Sequence, residues 1–186
     1  MIARFLRVLL FGFAFLFVMA NVHEVGHTVF ARLLGDDSAH YVLYQARGSG
    51  ACMGCNLYDS SRMGDLANVL VNLGGVIFTQ LLCWAAILLL ALRDVFKQWM
   101  LLTVIGITWL GDAILQLVQG LQVNIPEHLA RGPESTYIDY GAVVWFLRDY
   151  TGTSASDLKA AMVLATIGYT GLLLLATRWA LTRRRR

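Results

Sequence analysis

Charge is scarce in this chain. Only 15% of its 186 residues are Asp, Glu, Lys or Arg, while 58% are hydrophobic. Soluble domains run nearer a quarter charged and half apolar, so the balance excludes several conventional soluble domains and points to one membrane-embedded unit over 1–186. Proline is nearly absent. Pro126 and Pro133 are the only two, and both fall in one stretch, where the chain is most irregular. Cysteine is sparse as well. Cys52 and Cys55 form a Cys-x-x-Cys pair with no second pair, which excludes a zinc ribbon. The thioredoxin-like setting that redox chemistry needs is missing too. A local disulfide between Cys52 and Cys55 is the simplest expectation, with free thiols the alternative. Cys83, in an apolar run, reads as packing. No internal repeat and no low-complexity segment occurs.

What is abundant is long apolar sequence. A helix that crosses a bilayer needs about 20 mostly apolar residues, and four stretches qualify: 5–34, 66–92, 99–121 and 160–181. The fold class expected is an all-α membrane protein of about four transmembrane helices. The segment Tyr140 to Leu147 is apolar but too short to span, and Arg148-Asp149 follows at once; it reads as a short interfacial or re-entrant helix. Residues His40 to Ala46 have strand propensity. Gly48-Ser49-Gly50 then supplies a turn, and Cys52 to Tyr58 can return, so a small β-hairpin is expected in the first outer loop. Arg4, Arg7, an apolar run and Val18-Met19-Ala20 also resemble a secretory signal. Three further spans make the chain membrane-bound in either case, and we expect the segment to be retained.

Basic residues give the orientation. Arg4 and Arg7, then Arg93 and Lys97, then Arg178 and Arg183 to Arg186 all fall on one side of a four-span chain. Both termini are therefore expected in the cytoplasm, and the loops 35–65 and 122–138 face outward. The formal net charge of +3 reflects this topology and gives no reason to expect nucleic-acid binding. The terminal arginines read as an anchor against acidic lipid headgroups.

The sharpest feature is His23-Glu24-Val25-Gly26-His27. Histidines four apart share one helix face and can grip one cation. Neutral imidazole is a good zinc ligand, and a carboxylate beside the first histidine can take a proton from a zinc-activated water. With four histidines and only three glutamates in the chain, a chance match has odds on the order of one in a thousand. An ionisable cluster inside a span is also costly to insert, which favours a functional reading.

Zinc needs a third protein ligand and an open position. Asp112 is the one acid well inside another span. His27 and Asp112 both lie about 10–12 Å below the expected outer surface, counting 1.5 Å per residue. Asp139, just ahead of the short helix, is the alternative third ligand. His40 and His128 are further candidates that read better as loop residues. Gln116 and Gln119 follow Asp112 on its helix face, and Asn68 and Asn72 lie one turn apart in the second span. Asn68 and the two glutamines read as interhelical hydrogen-bonding groups. Asn72 could equally orient a substrate carbonyl or an oxyanion. Gly74-Gly75 beside it lets helices approach closely.

These residues resemble the site-2 protease family of intramembrane zinc metalloproteases over about Phe5 to Leu121. His23, Glu24 and His27 match its zinc motif, Asn72-Leu73-Gly74-Gly75 looks like its second element, and Gly111-Asp112 is a partial match to its third. The sequence departs from the family in lacking Asn-Pro before the aspartate and in having Ala113 after it. The zinc motif also sits nearer the outward end than the family leads one to expect. The resemblance implies a minimal core that hydrolyses peptide bonds of a membrane-associated protein or peptide, with Zn2+ as cofactor and Glu24 as general base. The alternative is a non-catalytic metal- or haem-binding helix bundle. A core this small is open to a regulatory partner or to assembly with copies of itself.

Overall fold

Helix accounts for nearly all of the regular structure. The protein is described as a computed structural model over residues 2–47, 50–92, 96–122 and 139–184, without the side chains of 3, 4, 47 and 51–53. Residues 123–138, with His128 and both prolines, and residues Arg93, Arg185 and Arg186 lie outside the described residues. Helix α1 spans Ile2–Leu33 and α2 spans Asp65–Ala91. The third apolar stretch is α3 (Gln98–Thr108), a π-helical turn (Trp109–Ile114) and α4 (Leu115–Gln122) in continuous succession. Helix α5 covers Asp139–Thr151 and α6 covers Ala155–Arg184. Four helical stretches are long and apolar enough to cross a membrane: Phe5–Leu33, Asp65–Ala91, Gln98–Gln122 and Ala155–Arg184. They fit an integral membrane protein. Their outer faces are apolar: Phe5, Phe13, Leu164 and Leu175 are all exposed.

The fourth stretch begins at Ala155, earlier than hydropathy alone suggests. Ser154 caps it: its Oγ accepts the Asp157 N–H at 3.2 Å, and the Asp157 carboxylate accepts the Ser154 hydroxyl proton. Side-chain caps of this kind satisfy donors that a helix start would otherwise leave bare. The short helix α5 is also longer than its apolar core, and it does not simply lie on a surface. Gly141, Ala142, Val143 and Val144 bury its first turns, and it packs on α2 and α4. Gly120 is where it meets α4: a methyl there would fall 2.7 Å from Tyr140 Cβ.

Helix α2 is central and touches α1, α3, α5 and α6. Its closest neighbour is α1, where glycine meets glycine. A methyl on Gly74 would lie 2.8 Å from the Gly26 carbonyl oxygen, and a methyl on Gly26 would collide with the Gly74 carbonyl. Below this contact, Cys83, Ile87 and Leu90 of α2 pack with Leu101, Ile105 and Leu173 into the main apolar core.

The α1–α2 connection holds the expected hairpin. Strand β1 (His40–Arg47) pairs antiparallel with β2 (Gly50–Leu57), His40 opposite Leu57 and Tyr44 opposite Met53. Cys55 is disulfide-bonded and Cys83 is a free thiol buried in the core; the Cys52 side chain lies outside the described ones. Helix α1 ends where Gly35 takes φ +109. The Asp36 N–H then reaches back to Ala31 and the Gly35 N–H to Arg32, the glycine-terminated reversal that satisfies the last carbonyls of a helix.

Asp36 secures the far side of this connection. It is buried, and its carboxylate accepts the N–H of Asp59 at 2.8 Å and that of Ser38 at 3.0 Å. The Asp59 N–H first, and the Ser38 hydroxyl second, hold the Asp36 carboxyl below its usual pKa. A carboxyl with a depressed folded pKa stabilises above its unfolded value, about 3.9, and loses that contribution as pH falls through the folded value. Asp36→Asn is therefore expected to be less stable than the parent at pH 7, with the difference shrinking below about pH 4. Chemical unfolding in detergent across that range checks it; a constant difference would contradict it. Gly26→Ala, which forces α1 off α2, is expected to cost about 1–3 kcal/mol in the same assay.

Candidate metal centre

Four elements converge at the α1–α2 contact. Helix α1 brings His23 and Glu24 and, one turn on, His27. The π-helical turn brings Asp112, α4 brings Gln116, and the first residue of α5 is Asp139. One ligand atom each from His23, His27 and Asp139 lies within 4.8 Å of the others. His23 Nε2 is 2.7 Å from Asp139 Oδ2, and His27 Nε2 is 3.3 Å from Asp139 Oδ1. These side chains keep only 12%, 7% and 14% of their exposure, so the cluster is enclosed but not sealed.

The other nitrogen of each ring is already committed. His27 Nδ1 lies 2.7 Å from the Val71 carbonyl, an acceptor only, so this nitrogen donates. His23 Nδ1 lies 3.2 Å from Asp112 Oδ1. With one N–H per neutral ring, both Nε2 lone pairs then face the Asp139 carboxylate. Three electron pairs directed at one point demand positive charge. Extra protons on the rings supply it in one way and a metal ion in the other. A metal leaves each Nδ1–H on its oxygen partner, the outer-shell pattern that metal-bound histidines need. Tetrahedral zinc, with bonds of about 2.0–2.1 Å, would set its ligand atoms roughly 3.4 Å apart; the His27–Asp139 contact of 3.3 Å matches this, and the His23–Asp139 contact of 2.7 Å would lengthen.

Gly75 makes the room. A methyl there would lie 2.6 Å from His23 Nε2 and 2.6 Å from His27 Nε2, so any larger residue fills the space between the rings. The Gly74-Gly75 pair thus does two jobs, helix approach and site clearance. Spacing alone points only to the first.

Asp139 itself is held as a carboxylate. Burial pushes its pKa up, but when the rings carry the extra protons, positive charge at His27 and hydrogen bonds from His23 and His27 outweigh this and keep it well below the usual carboxylate range. Gln116 Nε2 donates to Asp139 Oδ2 at 3.0 Å, a role that its place in a polar stripe does not reveal.

Asp112 stands outside the three-ligand group. Its carboxylate faces His23 Nδ1 on one side and accepts the Thr79 hydroxyl on the other, and it is buried. The π-helical turn puts Asp112 and Ala113 side by side in the interior, both buried. Such turns recur at functional sites, and nothing in the apolar periodicity announces this one. The depth count sets Asp112 level with His27 as a third ligand, whereas its carboxylate faces His23 Nδ1. What it cannot give is which ring nitrogen the aspartate meets.

Glu24 is half-buried and lies beside the ligand group without belonging to it. Its Oε2 accepts the Asn56 N–H from β2 at 3.2 Å. Thr28, one turn on, donates to Asn56 Oδ1, so the hairpin is fastened over the carboxylate. Asn72 is buried, and its amide donates to the Asn68 carbonyl at 2.7 Å and to Tyr58 Oη at 3.4 Å. Asn68 holds the α2 start by donating to the Ser60 carbonyl at 3.0 Å. His40 Nδ1 bonds the nearby Ser38 carbonyl and takes no part.

Metal content separates the two aspartates. Asp139→Asn is expected to abolish stoichiometric metal, because an amide replaces a ligand. Asp112→Asn is expected to retain it with affinity lowered about 10–100-fold, as for other outer-shell changes. Equal losses in both variants, measured by titration against a competing chelator, would contradict this division.

No protein-family model, curated protein or solved structure matches this chain, so the chemistry of the site rests on its own residues.

Proposed function

We propose that this chain is an intramembrane zinc metalloprotease, similar to site-2 proteases, that hydrolyses peptide bonds of membrane-associated proteins or peptides. The observation that carries the reading is the convergence of two imidazole lone pairs and one carboxylate beside Glu24. His23, His27 and Asp139 would hold the metal. When bound, a divalent metal supplies Lewis acidity: it polarises a carbonyl oxygen and acidifies a water.

The chain's own groups do the rest. Glu24 takes the proton from the attacking water and returns it to the leaving amine. The Asn56 N–H fixes one oxygen of that carboxylate and leaves the other for the proton. Asp112 acts through His23: it holds the Nδ1–H and so keeps Nε2 available. Val71 does the same for His27, and Gln116 steadies Asp139. Zinc is proposed from the His23-Glu24-x-x-His27 spacing; the His and carboxylate donors by themselves also suit iron or cobalt. The four apolar helices are taken to cross the bilayer with both termini in the cytoplasm, where the basic residues cluster. A second copy of the chain or a regulatory partner would complete so small a core.

A second reading has one observation in its favour. The Glu24 carboxylate already has a structural partner in Asn56, as it would in a metal-binding bundle without catalysis. Glu24→Gln separates the two. A protease is expected to keep its metal and lose about 10²–10⁴-fold in cleavage rate, measured in proteoliposomes on single-span peptides. Chelation should abolish cleavage and added zinc restore it. Cleavage unchanged in Glu24→Gln would overturn the protease reading.

A further inference from the structure

A cavity of about 380 Å³ lies between α2 and α6, away from the ligand atoms. Its long wall is one face of α2, with Leu73, Ile77, Leu81 and Trp84. Leu73 to Trp84 is about 16 Å of helix at 1.5 Å per residue. The cavity is therefore a slot. A helix 10–12 Å across would fill roughly 1,500 Å³ over that length, several times the slot. A helical segment does not fit. A single hydrocarbon chain does.

The chemistry of the lining agrees. Three of its polar residues have partners within the protein. Tyr169 Oη donates to Gln80 Oε1 at 2.8 Å, Gln80 Nε2 donates to the Thr108 carbonyl at 3.1 Å, and Thr166 donates to the Met162 carbonyl. These groups need nothing from an occupant. Water is held in a cavity by two to four polar partners, which these groups do not offer. An empty apolar void also forfeits the dispersion contacts of its walls. An apolar occupant restores those contacts. Ile77 and Leu81 on the slot wall are 38% and 58% exposed, so the slot opens sideways onto the apolar face of the helices. In a bilayer the hydrocarbon at that opening is lipid.

We infer that the α2–α6 slot binds one acyl chain of a membrane lipid. The slot floor is Ala113 and Tyr140, each next in sequence to a cluster carboxylate. A bound chain packs one residue away from the metal cluster. This inference is independent of the proteolytic reading.

The test uses the full chain in phosphatidylcholine vesicles, with a phosphatidylcholine that carries a photoreactive diazirine midway along one acyl chain. Adducts are mapped by peptide mass spectrometry. In the unsubstituted protein, labelling of Leu73, Ile77 and Tyr169 is expected to saturate as the probe is raised. Labelling of Leu174 and Leu175, on the open face of α6, should rise in proportion. Ala165→Phe and Thr166→Leu narrow the slot from α6 and should each lower slot labelling about tenfold, a change of roughly 1.4 kcal/mol, with the open face unaffected. Slot labelling that rises in proportion without saturating would overturn the inference, as would labelling indifferent to both substitutions. So would slot residues found crosslinked to a second copy of the chain or to a co-purified peptide in place of lipid.

Discussion

The arrangement depends on one electrostatic demand. The Asp139 carboxylate faces two imidazole nitrogens at 2.7 and 3.3 Å in a nearly closed space. Charge in such a place is expensive unless it is paired. The surrounding groups resolve the demand in one direction: Val71 and Asp112 take the outer ring protons, which leaves the inner lone pairs to a cation. The helices that surround the cluster are arranged around that pairing. α5 enters the bundle with Asp139 as its first residue, and the π-helical turn re-aims the third stretch so that Asp112 meets His23.

Packing and chemistry share the same residues. Gly26 and Gly74 bring α1 and α2 into backbone contact, which is how helices associate where no hydrophobic force favours one partner over lipid. The same approach sets the Val71 carbonyl against His27 and opens the Gly75 space between the rings. The hairpin shares in this. Its Asn56 N–H reaches Glu24, so the connection between the first two helices also positions the carboxylate that a hydrolase needs.

Much of this was legible in the sequence. Apolar run length gave four candidate spans, and strand propensity around Gly48-Ser49-Gly50 gave the hairpin. The His23-Glu24-x-x-His27 spacing gave two ligands on one face. Less legible was what depends on three-dimensional detail. Asp139 lies outside the four apolar stretches, so depth counting does not reach it and favoured Asp112, whose place inside a span is easier to measure. The π-helical turn breaks the 3.6-residue period locally, and no residue type signals it. Gln116 and Val71 act through one atom each, the latter through its backbone, which sequence does not distinguish. The α2–α6 slot is a property of packing between helices far apart in the chain.

The most direct test of the metal centre is X-ray absorption at the zinc edge on the purified, zinc-loaded protein. The account predicts a first shell of nitrogen and oxygen only, at about 2.0–2.1 Å, with the outer-shell scattering of two imidazoles. A sulfur shell at about 2.3 Å would place the metal at cysteine instead. That result, or failure of the protein to hold zinc at all, would contradict the central claim.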